Sequence, residues 1–129
     1  MLRPALLAAL LLPLGFAPAR AEPTVTTLRP GDGKTLPQRG QRVVVHYTGT
    51  LTNGGATFDS SRTRGQPFTF TIGTGQVIRC WDVGVARMSV GERAKLHCPA
   101  ADAYGTRGAG GVIPPNAELD FDVELLRIE

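Results

Sequence analysis

Val77-Ile78-Arg79-Cys80-Trp81-Asp82-Val83-Gly84-Val85-Ala86-Arg87-Met88 contains the only tryptophan of the chain. Apolar residues recur at Val77/Ile78, Trp81, Val85 and Met88, which is helical spacing over about three turns. A turn follows at Val90-Gly91-Glu92. The surrounding sequence reads as β-strand, so the spacing predicts one short amphipathic helix wrapped by a sheet. Trp81, its largest side chain, then faces the concave side and floors an apolar pocket, which is where a binding function is to be sought.

The strands are marked by alternation and by turns between them. Residues 22–28 read as a first strand, ended by the turn Pro30-Gly31-Asp32-Gly33. Arg42-Val43-Val44-Val45-His46-Tyr47 is rich in β-branched residues, and Asn53-Gly54 centres a tight reversal after it. Phe58-Asp59-Ser60-Ser61 leads into a polar loop that reaches Gln66-Pro67. Phe68-Thr69-Phe70-Thr71-Ile72 alternates strictly. Arg93-Ala94-Lys95-Leu96-His97-Cys98 is a further strand, and Leu119-Asp120-Phe121-Asp122-Val123-Glu124-Leu125 alternates apolar with acidic, as a half-buried antiparallel strand does. Residues 105–116 form a Gly- and Pro-rich loop, and a loop of that length in a small domain is usually functional. The count is five or six strands and one short helix, an α+β chain whose sheet wraps the helix.

Residues 1–21 read as a secretory signal peptide: one early arginine, an almost wholly apolar run at 5–17, and the small-x-small ending Ala19-Arg20-Ala21. The apolar run is short for a bilayer and contains Pro13, which weighs against a membrane span. Cleavage after Ala21 predicts a single domain at 22–129 and removes Arg3 and Arg20, which lowers the formal charge from +3 to +1. The chain is expected to be exported, with two destinations open, a bacterial periplasm and a eukaryotic secretory lumen. The C-terminus carries no endoplasmic-reticulum retrieval signal, which mildly favours the periplasm. The basic residues are scattered singly along the sequence, which argues against nucleic acid as a partner.

Cys80 and Cys98 are the only cysteines. In an oxidising compartment they are candidates for a disulfide if the strand ending at Cys98 packs on the helix; the alternative is two buried, inert thiols. His46 and His97 stand apart from each other and from the cysteines, so no metal site is expected. No serine sits in a nucleophile setting, and Gly73-Thr74-Gly75 lacks the continuation of a phosphate-binding loop. Asp120, Asp122 and Glu124 share one strand face, read as solvated. What remains is an aromatic set from separate strands and loops: Tyr47, Phe58, Phe68, Phe70, Trp81, Tyr104 and Phe121. Asp59 places a carboxylate beside Phe58, with Arg64 as its partner unless both are solvated surface charges.

These residues fall in segments that resemble the FKBP-type peptidyl-prolyl cis-trans isomerases. The segments are Val44-Val45-His46-Tyr47-Thr48-Gly49, Phe58-Asp59-Ser60-Ser61-Arg62, Pro67-Phe68-Thr69-Phe70, Val77-Ile78 with Trp81, Met88-Ser89-Val90-Gly91, Ala103-Tyr104-Gly105, Ile113-Pro114-Pro115 and Phe121-Asp122-Val123-Glu124-Leu125-Leu126. The resemblance implies a curved antiparallel sheet of five or six strands, a half-barrel, wrapped on one short helix. It also implies a shallow pocket for Xaa-Pro segments and for the macrolides tacrolimus and rapamycin, with no cofactor and a monomeric chain. It implies catalytic roles for Tyr47, Phe58, Asp59, Trp81, Tyr104 and Phe121, and ligand contacts from Arg64, Phe68, Val77, Ile78 and Ile113. Trp81 becomes the floor, while the Ile78 N–H and the Tyr104 hydroxyl become donors to carbonyls. Gln76 falls where the family uses its main chain. Cys80 and Cys98 depart from the family's common glycine and aliphatic residue, which strengthens the disulfide reading. A binding-only chaperone or ligand-docking module is the alternative function.

Overall fold

The computed structural model describes residues 22–129; the expected leader lies outside them. Six strands form one antiparallel sheet: β1 Thr24–Arg29, β2 Arg42–Leu51, β3 Thr57–Ser60, β4 Phe68–Thr71, β5 Arg93–Cys98 and β6 Leu119–Ile128. Their order is β1-β5-β6-β2-β3, and β4 also pairs with β2. β4 takes residues 42–45 of β2 and β3 takes residues 48–50, so two short strands share one edge of a long one. A register shift falls between Val44 and Val45 where β2 meets β6. Such bulges bend a strand and tighten its twist.

The alternation of β6 is realised directly. Leu119, Phe121, Val123 and Leu125 are buried in the core, while Asp120, Asp122 and Glu124 are half-buried on the other face. That second face is not merely solvated. Arg93 donates from Nε and Nη2 to Asp122 at 2.8 and 2.9 Å, and Glu124 receives Arg29 at 2.7 Å and Arg62 at 3.2 Å. Arginines scattered in sequence thus converge, because antiparallel register sets Arg93 opposite Glu124 and brings Asp122 opposite both Lys95 and Thr48. His97 is likewise flanked, by Asp120 Oδ1 at 2.7 Å and Glu118 Oε1 at 3.0 Å. Among the described residues no cluster of three or more His, Cys, Asp or Glu is arranged to hold a metal ion. No described helix is long and apolar enough to cross a membrane.

The central helix is shorter than its apolar spacing suggests. A single turn, α1, occupies Ser61–Arg64, and the principal helix, α2, runs only Arg79–Gly84 before tightening into a 3₁₀ turn at Val85–Arg87. Glycine is a poor helix former, and Gly84 is needed for contact: a Cβ there would stand 3.1 Å from both Leu96 methyl groups. Trp81, Val85 and Met88 nonetheless all enter the core, as their spacing predicts. Val77 and Ile78 lie ahead of the helix; Ile78 is extended at φ −60°, ψ 150°. Cys80 in α2 is disulfide-bonded to Cys98 at the end of β5, with the Cα atoms 5.6 Å apart, and both residues are fully buried.

Candidate active site

The rings gather on Trp81. Tyr47 from β2 meets the indole edge-on at a centroid distance of 4.8 Å, and Phe121 from β6 does so at 5.2 Å. Phe70 and Phe68 from β4 lie at 5.7 and 5.9 Å. Phe58 from β3 stands at 87° to Phe121, 5.7 Å away. Edge-to-face pairs at such distances each contribute about 0.5–1.5 kcal/mol beyond area burial, so the cluster is a stiff apolar wall. Gly49 makes it possible: a Cβ there would lie 2.6 Å from Phe58 Cζ and 2.8 Å from Phe121 Cε1.

Over this cluster lies a hollow of about 200 Å³, lined by Tyr47, Phe58, Asp59, Phe68, Gln76, Val77, Ile78, Trp81, Tyr104 and Phe121. It is smaller than the roughly 300–1,000 Å³ of drug-sized cavities. Trp81 is 5% exposed, so only a small part of it is accessible, as a floor. Its indole N–H is fully buried and has no hydrogen-bond partner among the described residues. A broader groove of about 830 Å³ beside Lys34, Leu36 and Ile128 has no aromatic lining.

The turn before α2 shapes one side. Asp82 accepts the Gly73 and Gly75 N–H groups at 2.8 and 3.0 Å, and Gln76 Oε1 accepts the Thr71 N–H at 2.9 Å. Both glycines hold positive φ, a conformation open to glycine at little cost. This frame presents Val77 and Ile78 to the hollow. The Ile78 carbonyl accepts from Trp81 and Asp82, while its N–H makes no backbone hydrogen bond among the described residues.

Asp59 is gripped from two directions. The Tyr47 hydroxyl donates to its Oδ2 at 2.5 Å, and Arg64 Nη1 donates to its Oδ1. Arg64 Nη2 also donates to the Tyr47 oxygen at 3.0 Å, with the guanidinium 5.8 Å from the Tyr47 ring centroid. The one-turn helix α1 builds this arrangement. Ser60 caps it by accepting the Thr63 N–H at 3.3 Å, and Gly65 closes it at φ 70°, so Arg64 turns back toward Asp59. Burial pushes the Asp59 carboxyl up, but the bonds from Tyr47 and Arg64 and the Arg64 charge outweigh it and hold the group below the usual aspartate value. Burial, then the bond to Asp59, raises the Tyr47 phenol. Tyr104 is raised as well, by burial first and by the Asp59 charge second.

Of the residues expected at the site, nine line the hollow. Arg64 stands behind Asp59 and reaches the site through it. Ile113 is buried under the late loop, where it forms a bridge with Ala109, and does not line the hollow. Gln76 does line it, with its side chain spent on Thr71. Asp82, which organises the turn, was legible only as a helix residue. Its signal was a carboxylate near a helix start after a Gly-x-Gly turn.

An antiparallel half-barrel that holds one tryptophan under a shallow aromatic hollow defines a class of small domain built to bind an apolar group. The sequence profile of the FKBP-type peptidyl-prolyl cis-trans isomerases matches residues 33–126. The chain is 63% identical over 105 residues to the peptidyl-prolyl cis-trans isomerase Fkbp12 of Drosophila melanogaster, covering 81% of this chain and 96% of that one. It is 60% identical to the peptidyl-prolyl cis-trans isomerase FKBP1A of Xenopus laevis with the same coverage. Against the FK506-binding protein 1 of Debaryomyces hansenii it is 59% identical over 112 residues, covering 87% and 97%. The chain belongs to the FKBP-type family and is a peptidyl-prolyl cis-trans isomerase.

These relatives also correct one expectation. They are fly, frog and yeast proteins, which overturns the assignment to a bacterial periplasm. The apolar run on which that assignment rested is a compositional signal within residues 1–21, and the matched family region begins only at residue 33.

Proposed function

We propose that Xaa-Pro bonds rotate in the hollow over Trp81 by desolvation and shape, without covalent or acid–base chemistry. The barrier to rotation, roughly 18–20 kcal/mol, comes from amide resonance. The twisted bond has lost that resonance and is less charge-separated than the planar amide. An apolar cup therefore binds the twisted form more tightly relative to water, and only such differential binding raises the rate. Trp81 is the floor under the proline ring, and Tyr47, Phe58 and Phe121 are the walls. The Ile78 N–H and the Tyr104 hydroxyl, neither taken up by another group among the described residues, donate to substrate carbonyls. Phe68 and Val77 extend the apolar contact. Asp59, kept ionised by Tyr47 and Arg64, acts electrostatically at the rim. No cofactor enters.

The observation that supports this reading is the convergence of rings from β2, β4 and β6 on one indole, with open space above it. The same cup suits FK506 (tacrolimus), the ligand for which the Debaryomyces hansenii relative, FK506-binding protein 1, is named, and rapamycin by shared chemistry. The protein acts as a monomer. The test is kcat/KM for a Leu-Pro peptide in H₂O and D₂O by exchange NMR. A ratio near one supports rotation without proton transfer, whereas a ratio of about two or more contradicts it, since positioned proton transfer is what general acid–base catalysis requires.

A further inference from the structure

Two cross-links leave consecutive residues of α2 for one short stretch of chain. Cys80 is bonded to Cys98. Arg79 Nη1 lies 2.9 Å from Asp102 Oδ1. The Asp102 side chain is fully buried, while that of Arg79 remains 45% exposed. The disulfide ties down the end of β5, but the chain leaves the sheet there. Asp102 ties down the turn beyond it, at Ala100–Asp102. Two residues later comes Tyr104, 40% exposed, with no hydrogen bond to its hydroxyl among the described residues. One residue before Arg79 comes Ile78. The ion pair therefore joins the two segments that carry the free donors of the hollow.

An ion pair with one buried partner is weak evidence for stability, because desolvation of that partner offsets much of the attraction; the best-supported use of such a pair is to fix one arrangement among several. We infer that Asp102 is a positioning residue for the isomerase, its ion pair with Arg79 holding Tyr104 at a set place relative to Ile78. This rests on the reading of Tyr104 as a donor to substrate.

The test is a double-mutant cycle on the full chain, measured by exchange NMR with a Leu-Pro peptide. Asp102→Asn keeps the shape and removes the charge. It is expected to lower kcat/KM about fivefold when Tyr104 is present and less than about twofold in a Tyr104→Phe background, since residues that act through one another are not additive. Equal losses in both backgrounds, or no loss in either, overturn the inference. The chain has only two tyrosines, so 3-fluorotyrosine labelling gives two ¹⁹F signals, assigned with Tyr104→Phe. Asp102→Asn is expected to move or broaden the Tyr104 signal and leave that of Tyr47 in place. An unmoved Tyr104 signal overturns the inference. Should Tyr104→Phe alone leave the rate unchanged, the donor role of Tyr104 fails while the fluorine signal still decides the positioning. If Asp102→Asn does not fold, Arg79→Gln goes through the same measurements.

Discussion

The Tyr47 ring stands edge-on to the Trp81 indole, with centroids 4.8 Å apart and planes crossed at 75°. The contact joins β2, an inner strand between β6 and the short pair β3 and β4, to the only tryptophan, and it lets one side chain do two things. Its ring walls the hollow while its hydroxyl donates to Asp59.

Trp81→Ala removes the floor. It is expected to cost about 3–5 kcal/mol of stability and to lower kcat/KM more than about tenfold through lost differential binding. Trp81→Phe restores a ring but not the full area. Because the indole N–H has no partner, its loss leaves no buried acceptor stranded, and kcat/KM is expected to fall less for Phe than for Ala. Urea unfolding and exchange NMR check both variants. A larger loss for Phe than for Ala refutes the assigned role.

Gly49→Ala pushes a methyl group into Phe58 and Phe121. The site is expected to lose activity about tenfold or more, as overpacked rings leave their places, while the circular dichroism of the sheet is retained. Full activity in this variant would show that the wall rings are free to move.

Asp59 is held below the usual aspartate value, so it stays ionised until the solution is acidic. Activity is expected to be level from pH 8 down to about pH 5 and to decline only below about pH 4, the ordinary carboxylate range. Asp59→Asn should lower kcat/KM and flatten that acid limb. A midpoint near pH 6 would contradict the geometry of the Tyr47–Asp59–Arg64 cluster.

The paired carboxylates on the outer sheet face set the acid stability. The bond from Arg93, opposed by burial, lowers Asp122; for Glu124, burial raises, but the bonds from Arg62 and Arg29 win and lower it. A lowered folded value means that the stabilisation is present above the unfolded value, about pH 4, and is lost as pH falls through the folded value. Denaturant unfolding at pH 7 and pH 3 is expected to show a larger loss for the native chain than for Asp122→Asn. Equal losses would contradict the pairing.

Reduction or replacement of the disulfide acts on the unfolded chain. Cys80 and Cys98 are 18 residues apart, and a loop of that size corresponds to about 3 kcal/mol. Cys80→Ser/Cys98→Ser is expected to lose about that much in urea unfolding and to keep its fold. An unchanged unfolding midpoint would refute the bond's contribution.

Much of this was legible locally. The spacing of Trp81, Val85 and Met88 marked the helix, and the alternation of Leu119 to Leu125 marked the innermost strand, because burial on one face imposes a period. The turn α1 was not legible, since Ser61-Arg62-Thr63-Arg64 has no apolar period; its caps are visible only once Ser60 and Gly65 are seen in place. The convergence of Arg29, Arg62 and Arg93 on Asp122 and Glu124 depends on strand register, which no local window contains. The resemblance implied a ligand contact from Ile113, which sits in the late loop, bridges to Ala109 and is buried in the core rather than lining the hollow. The Arg79–Asp102 pair spans 23 residues and left no trace in either segment.

The most direct test titrates the protein with tacrolimus while exchange NMR follows Leu-Pro isomerisation and fluorescence follows Trp81. The account predicts that the acceleration vanishes at one equivalent, at the same point where the indole signal saturates. Acceleration that persists once the indole signal has saturated would place the rotation elsewhere and contradict it.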